Sequence, residues 1–276
     1  MALIKIKKEE RSPIIMLMMM FFCIVGSSIL GASARDTFFL TQFDKSLLPL
    51  MFALVAGLMV LVISIYNKIT AKLDLVKTII LSSIFFCITL FVIRLNLKGF
   101  VIPLFYAWTD VIISITIFQF WLLAGEIFNA RQAKRLFSFI GIGGSIAGIS
   151  AGYLMRPFVL QFGAENLLIP NIILIALMAI FASFLNPYRA KKENDVKEKI
   201  KKETSKNILD PYLKSILVMV CAAAICSRII EYQFKITAAT TYSSSAQLAS
   251  FFGEYYMYLN GTTLIMQLFL TGFILQ

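Results

Sequence analysis

Long apolar runs separated by short polar stretches set the pattern of this chain. Eight runs stand out, roughly Ile14 to Ala34, Leu47 to Tyr66, Thr78 to Ile93, Phe100 to Phe128, Leu136 to Met155, Leu167 to Leu185, Tyr212 to Ala239 and Ala249 to Ile274. An α-helix needs about 20 residues to cross the hydrocarbon of a bilayer. The pattern therefore predicts an all-α, polytopic membrane protein with about eight transmembrane helices. All seven prolines (Pro13, Pro49, Pro103, Pro157, Pro170, Pro187 and Pro211) fall near an expected helix end. There the missing N–H costs little or helps to stop the helix.

Composition points the same way. The chain is 59% hydrophobic and 15% charged over 276 residues, and a soluble domain of that length has no interior large enough to hide so much apolar side chain. Lys5, Lys7, Lys8 and Arg11 precede the first run, as in a signal peptide. That run is too long for a signal h-region and lacks a clean small-residue cleavage site before Arg35, so it reads as a signal anchor.

Lys and Arg set the expected orientation. Nineteen lie at the N-terminus, in "NKITAKLDLVK", in "NARQAKR" and between Arg189 and Lys214; the intervening loops hold five, Arg35, Lys45, Arg94, Lys98 and Arg156. This asymmetry places the N-terminus in the cytoplasm of a cell (inner) membrane. It also accounts for the net charge of +11, which invites no nucleic-acid partner because the excess sits where topology demands it. The basic stretch reads as a solvated cytoplasmic linker resting on anionic lipid. It divides the chain into a six-helix bundle (1–187), the linker (188–211) and two further helices (212–276). Six spans, a long basic loop and further spans form the layout of a two-bundle transporter.

Cys23, Cys87, Cys221 and Cys226 all fall in apolar runs and there is no histidine. Disulfides, a metal site and a haem are therefore not expected, and no cofactor is. No nucleophile–base pair suggests an enzyme.

The residues that could carry chemistry are charges inside the spans. Arg228, Glu231 and Lys235 in "CSRIIEYQFK" are spaced i, i+3 and i+7, one narrow helix face. Each would cost roughly 2.5–3.5 kcal/mol against lipid at mid-membrane, so the stripe must face a bundle interior or a wet cavity. Two cations with one anion suit an anionic ligand; the bland alternative is a packing ion pair with Lys235 snorkelling outward. Arg35 and Asp36 either mark the outer boundary of the first span or, if its helix continues through Leu40, line the same cavity. Asp110 is an intramembrane acid placed to pair with Arg35 or Arg228, or to take a proton. Glu126 approaches one end of the fourth span, and Lys134 and Arg135 open the fifth, where gating or loop packing is their expected role. Gly144, Gly148 and Gly152 recur every fourth residue, a smooth face for helix contact. "GIGGSIAG" lacks the third glycine and the preceding strand of a dinucleotide site.

Phe120-Trp121, Ala124, Glu126 and "AKRLF" ahead of a glycine-rich helix resemble the nucleotide (ATP/ADP) translocase family. "ARDTFFL", "EYQFK" and "FFGEYYMYLNGTTLIMQLFLTG" are more similar to its bacterial relatives of major-facilitator-like fold. The resemblance implies a twelve-span transporter exchanging a small anionic substrate, a nucleotide, between two bundles. It places Arg35, Asp110, Glu231 and Lys235 on the charged cavity and gives the "AKR" of Ala133 to Arg135 a loop-packing job. The spacing of Asp110 to the Phe-Trp pair differs by a few residues from the family's, and "NKITAKLDLVK" lacks the glycine-bearing, doubly basic signature of the wider superfamily. On this pattern the second bundle stops after two helices, so the chain reads as truncated near Gln276, its other wall coming from further helices or a partner chain. The alternative is a non-transporting regulatory or degenerate relative that assembles with partners.

Overall fold

The computed structural model describes residues 8–70, 73–189 and 211–274. Among them every long element is an α-helix: α1 (Lys8–Gln42), α2 (Leu48–Thr70), α3 (Leu75–Leu95), α4 (Val101–Ile127), α5 (Ala130–Phe162), α6 (Leu168–Arg189), α7 (Pro211–Thr241) and α8 (Ser245–Ile274). Helices α1 to α7 are each long and apolar enough to cross a membrane, and the chain is a polytopic membrane protein. The eighth expected span forms as a helix of 30 residues and is not one of the seven candidate spans found among the described residues. Glu254, Asn260 and Gln267 interrupt its apolar run. Most of the basic linker, 190–210, lies outside the described residues, as do the side chain of Lys134 and the terminal Gln276.

Helix α1 is the axis of the structure. It packs against α4, α5, α6 and α8, and all residues from 29 to 40 are buried. A helix apolar all round suits such a central place. Its 35 residues span about 52 Å at roughly 1.5 Å each, more than the ~30 Å hydrocarbon core. The helix does not stop at Ala34 but runs on through Gln42, so Arg35 and Asp36 are helical and buried rather than boundary markers. All seven prolines sit within the first or last two turns of a helix. Pro157 lies inside α5, because that helix runs past Met155 to Gly163, whose φ of +83° lets the chain turn away.

Two apolar cores result. One joins Leu17, Met20 and Ile24 to Phe120 and Leu123 at the N-terminal end of the bundle, where α1 begins. The other gathers Phe38, Phe39, Phe105 and Tyr106 toward the opposite end. Polar caps mark the starts of α3 and α5. Asp74 accepts the Val76 N–H at 3.1 Å, and Asn129 and Gln132 form a reciprocal capping box.

The expected glycine face is divided between two neighbours. A Cβ on Gly144 would meet the Phe21 ring of α1 at 2.6 Å, whereas Gly148 abuts Asn260 and Gly152 lies against Gly253 and Met257 of α8. Successive steps of four advance a helix by about 40°, enough to turn the row from one partner to the next. The polar residues of α8 serve this seam: the Ser145 hydroxyl donates to Gln267 at 3.1 Å, and Arg156 pairs with Glu254 at 3.1 Å.

Helix α7 is held differently. None of its residues from Leu213 to Phe234 is buried, and among the described residues the first buried one is Lys235. It touches α1, α2 and α8, and Lys45 donates to the Ala239 carbonyl in its last turn at 2.8 Å, a cation at a helix C-terminus.

Candidate functional site

All six intramembrane charges singled out in the sequence converge where α7 meets α1 and α4. Arg35 pairs with Asp110 and lies 3.4 Å from Asp36. Lys235 is 2.9 Å from Asp36 and 2.6 Å from Glu231, and Arg228 is 2.7 Å from Glu231. The i, i+3, i+7 stripe of α7 thus faces the bundle, and its partners come from two other helices.

Depth follows from helix geometry. At roughly 1.5 Å per residue, Arg35 is about 10 Å before the end of α1, Lys235 about 9 Å before the end of α7 and Asp110 about 13 Å into α4. The cluster lies inside the helical bundle, nearer the end opposite the N-terminus. Lys235 does not snorkel outward; its side chain is 4% exposed.

The charge count changes the expectation of a cationic site. Three cations (Arg35, Arg228, Lys235) meet three anions (Asp36, Asp110, Glu231), a net charge of zero. The excess cation expected from α7 alone is neutralised by Asp36 and Asp110, which the topology brings from elsewhere. Buried charges persist in low dielectric only when paired and hydrogen-bonded in this way.

Aromatic side chains complete the site, and the sequence reading missed them. Lys235 donates to the Tyr106 hydroxyl at 3.0 Å, and the Arg35 guanidinium lies 4.7 Å from the centre of the Tyr106 ring. Tyr106 stands one helical turn before Asp110, so the i, i+4 spacing was a usable signal. Phe52 of α2 holds both Arg228 and Lys235 at 5.6 Å from its ring centre, within cation–π range. Nothing in the sequence around Phe52 marks it.

Beside the cluster is a cavity of about 510 Å³ between α2, α4 and α7. Its polar wall is Asp110, Ser114, Arg228 and Tyr232; Phe52, Val55, Met59 and Ile225 supply apolar surface. This size lies within the range of small-molecule sites.

The remaining candidates lie at the N-terminal end of the bundle. Glu126 pairs with Arg189, which also reaches Asp74 at 2.8 Å, so α6 ties the end of α4 to the start of α3. The Arg189 guanidinium hydrogen-bonds the Asp74 carboxyl and holds it below its usual value of 3.8. Arg135 makes contacts of 2.8 and 2.6 Å to the two Glu10 oxygens, and Gln132 donates to the same carboxylate at 3.0 Å, locking α5 to α1. Glu10 is buried although the sequence places it in a basic, polar terminus.

No family model, curated protein or solved structure matches this chain.

Proposed function

We propose that this chain is the carrying part of a membrane transporter that moves a small solute bearing an anionic group by alternating access. One observation carries the reading: a line of ion pairs, buried at its middle, joins α7 to α1 through Lys235 and Asp36 and α1 to α4 through Arg35 and Asp110, and it borders a solute-sized cavity. Ion pairs are well suited to a reversible seal, because a charged ligand can replace one partner while keeping the other paired. The glycine seam between α5 and α8 supplies a close contact about which the elements can rock. With the Lys and Arg asymmetry placing the N-terminal end in the cytoplasm, the ion pairs form an outer seal in the cell membrane.

Site-directed labelling tests this without knowing the solute. In a variant with the four native cysteines replaced, Ser114→Cys and Ala224→Cys place single thiols on the cavity wall. A carrier exposes these thiols to an impermeant maleimide from either side of sealed vesicles, in proportions that shift with ligand. Labelling from one side alone, whatever is added, sinks the carrier reading. That outcome favours a non-transporting protein using the exposed length of α7 to assemble with a partner.

The finer proposal, nucleotide exchange, is supported by the resemblance of "AKRLF" and the Phe-Trp pair. If ATP or ADP is the solute, either should raise the unfolding midpoint of the purified protein, since a ligand held only by the folded state stabilises it. No shift at millimolar nucleotide removes that proposal and leaves the carrier reading in place.

A further inference from the structure

The ion pairs form a line rather than a knot. In order of contact they run Asp110, Arg35, Asp36, Lys235, Glu231, Arg228, with the sign alternating at every step. Each of the four interior members has two partners of opposite charge. Asp110 and Arg228, at the two ends, have one each among the described residues. Both ends, and none of the interior members, line the cavity. The Arg35, Asp36 and Lys235 side chains are 4–5% exposed, Asp110 13%, Glu231 28% and Arg228 52%, so the middle of the line is its most buried part. Asp110 Oδ2 is buried without a hydrogen-bond donor among the described residues, and Arg228 engages Glu231 through a single terminal nitrogen.

We infer that the cavity takes a zwitterionic solute, with an ammonium on Asp110 and a carboxylate or other single oxyanion on Arg228. The inference rests on the carrier reading and names its substrate class. Such a ligand closes the line of alternating charges into a ring and leaves every member with two partners. A polyanion instead brings several negative charges to a neutral cluster and sets one of them against Asp110. A simple cation meets Arg228. Val55, Met59 and Ile225 accept the hydrocarbon between or beside the two charged groups.

The test uses the full chain and ligands of graded length. Glycine, leucine, γ-aminobutyrate and ε-aminocaproate are compared with butyrate, butylamine and ADP by calorimetric titration and by the shift in unfolding midpoint. At least one zwitterion should bind about tenfold or more tightly than butyrate, butylamine and ADP, the loss expected when one charged contact is absent. Asp110→Asn should erase the advantage of the amino group, so that γ-aminobutyrate and butyrate bind alike. Arg228→Gln should do the same for the carboxylate against butylamine. Binding of ADP or butyrate as tight as any zwitterion overturns the inference, as does failure of every zwitterion at millimolar concentration. The wild-type ranking decides the matter even if a variant does not fold. Two-sided labelling combined with a preference for ADP would leave a carrier with a different substrate class; one-sided labelling removes the carrier itself.

Discussion

Lys235→Met removes a charge while nearly keeping side-chain length, and its cost can be worked from the contacts. Lys235 serves Asp36 at 2.9 Å, Glu231 at 2.6 Å and the Tyr106 hydroxyl at 3.0 Å from a side chain that is 4% exposed. Without it, Asp36 keeps only Arg35 at 3.4 Å, while Glu231 keeps Arg228 at 2.7 Å and is 28% exposed. Breaking a buried pair on one side costs about 3–5 kcal/mol because a charge is left uncompensated. Both acids retain a second cation, which places the expected loss at the low end, about 3 kcal/mol. Adding Asp36→Asn restores a net charge of zero, and the double variant should then be more stable than Lys235→Met alone by about 1–2 kcal/mol. Titration from a mild detergent into SDS, followed by circular dichroism, reads both numbers on the same scale. A single variant within about 0.5 kcal/mol of wild type, the ordinary spread of surface changes, would refute the claim that this lysine is a buried structural charge. A double variant that simply sums the two losses would refute its coupling to Asp36.

At the other end of the bundle, Asp74 binds fewer protons folded than unfolded, because Arg189 holds its carboxyl below the usual 3.8. The stability it gives is complete above that value and is lost as pH falls through the lowered one. Asp74→Asn keeps a good N-cap and should flatten the acid limb of an unfolding-against-pH curve as pH falls below the ordinary carboxylate range; an unchanged limb assigns the slope to other carboxylates. Gly152→Ala places a Cβ 2.8 Å from the Met257 nitrogen, so α5 and α8 must part at a cost of about 1–3 kcal/mol. Gly261→Ala meets no atom within 4 Å and should be neutral or slightly stabilising. Equal effects of the two in the same SDS titration would mean that the seam is not close-packed.

The fold was legible because its signal is local. Runs of apolar residues long enough to span a bilayer need no knowledge of their neighbours to be read as helices, and each expected span has its helix. Their ends were less so. The apolar run ends at Ala34 and leaves Arg35 and Asp36 open between a boundary and a cavity wall; a helix buried on all sides carries charge deeper when other helices supply partners. Pro157 lies beyond the expected end at Met155 yet inside α5, where its missing N–H leaves one carbonyl of the preceding turn without its helical partner.

The candidate site was half legible, and the missing half is a property of three helices together. Arg228, Glu231 and Lys235 are visible as a stripe, so the sequence alone counts an excess of positive charge and points to an anion. That count is made on one helix. Asp36 lies about 200 positions earlier in the chain, and Asp110 comes from a third helix; only their meeting turns an excess cation into an alternating line of six charges. The same meeting decides which members a solute can reach. Along the sequence all six look equivalent, whereas packing buries Arg35, Asp36 and Lys235, leaves Glu231 part-exposed, and puts only the two end members, an acid and a base, on the cavity wall. In the proposed carrier, charge paired on both sides seals, and charge with a single partner recognises. The number of opposite-sign partners around each residue therefore separates the two roles, and that number is set by contacts between helices far apart in sequence.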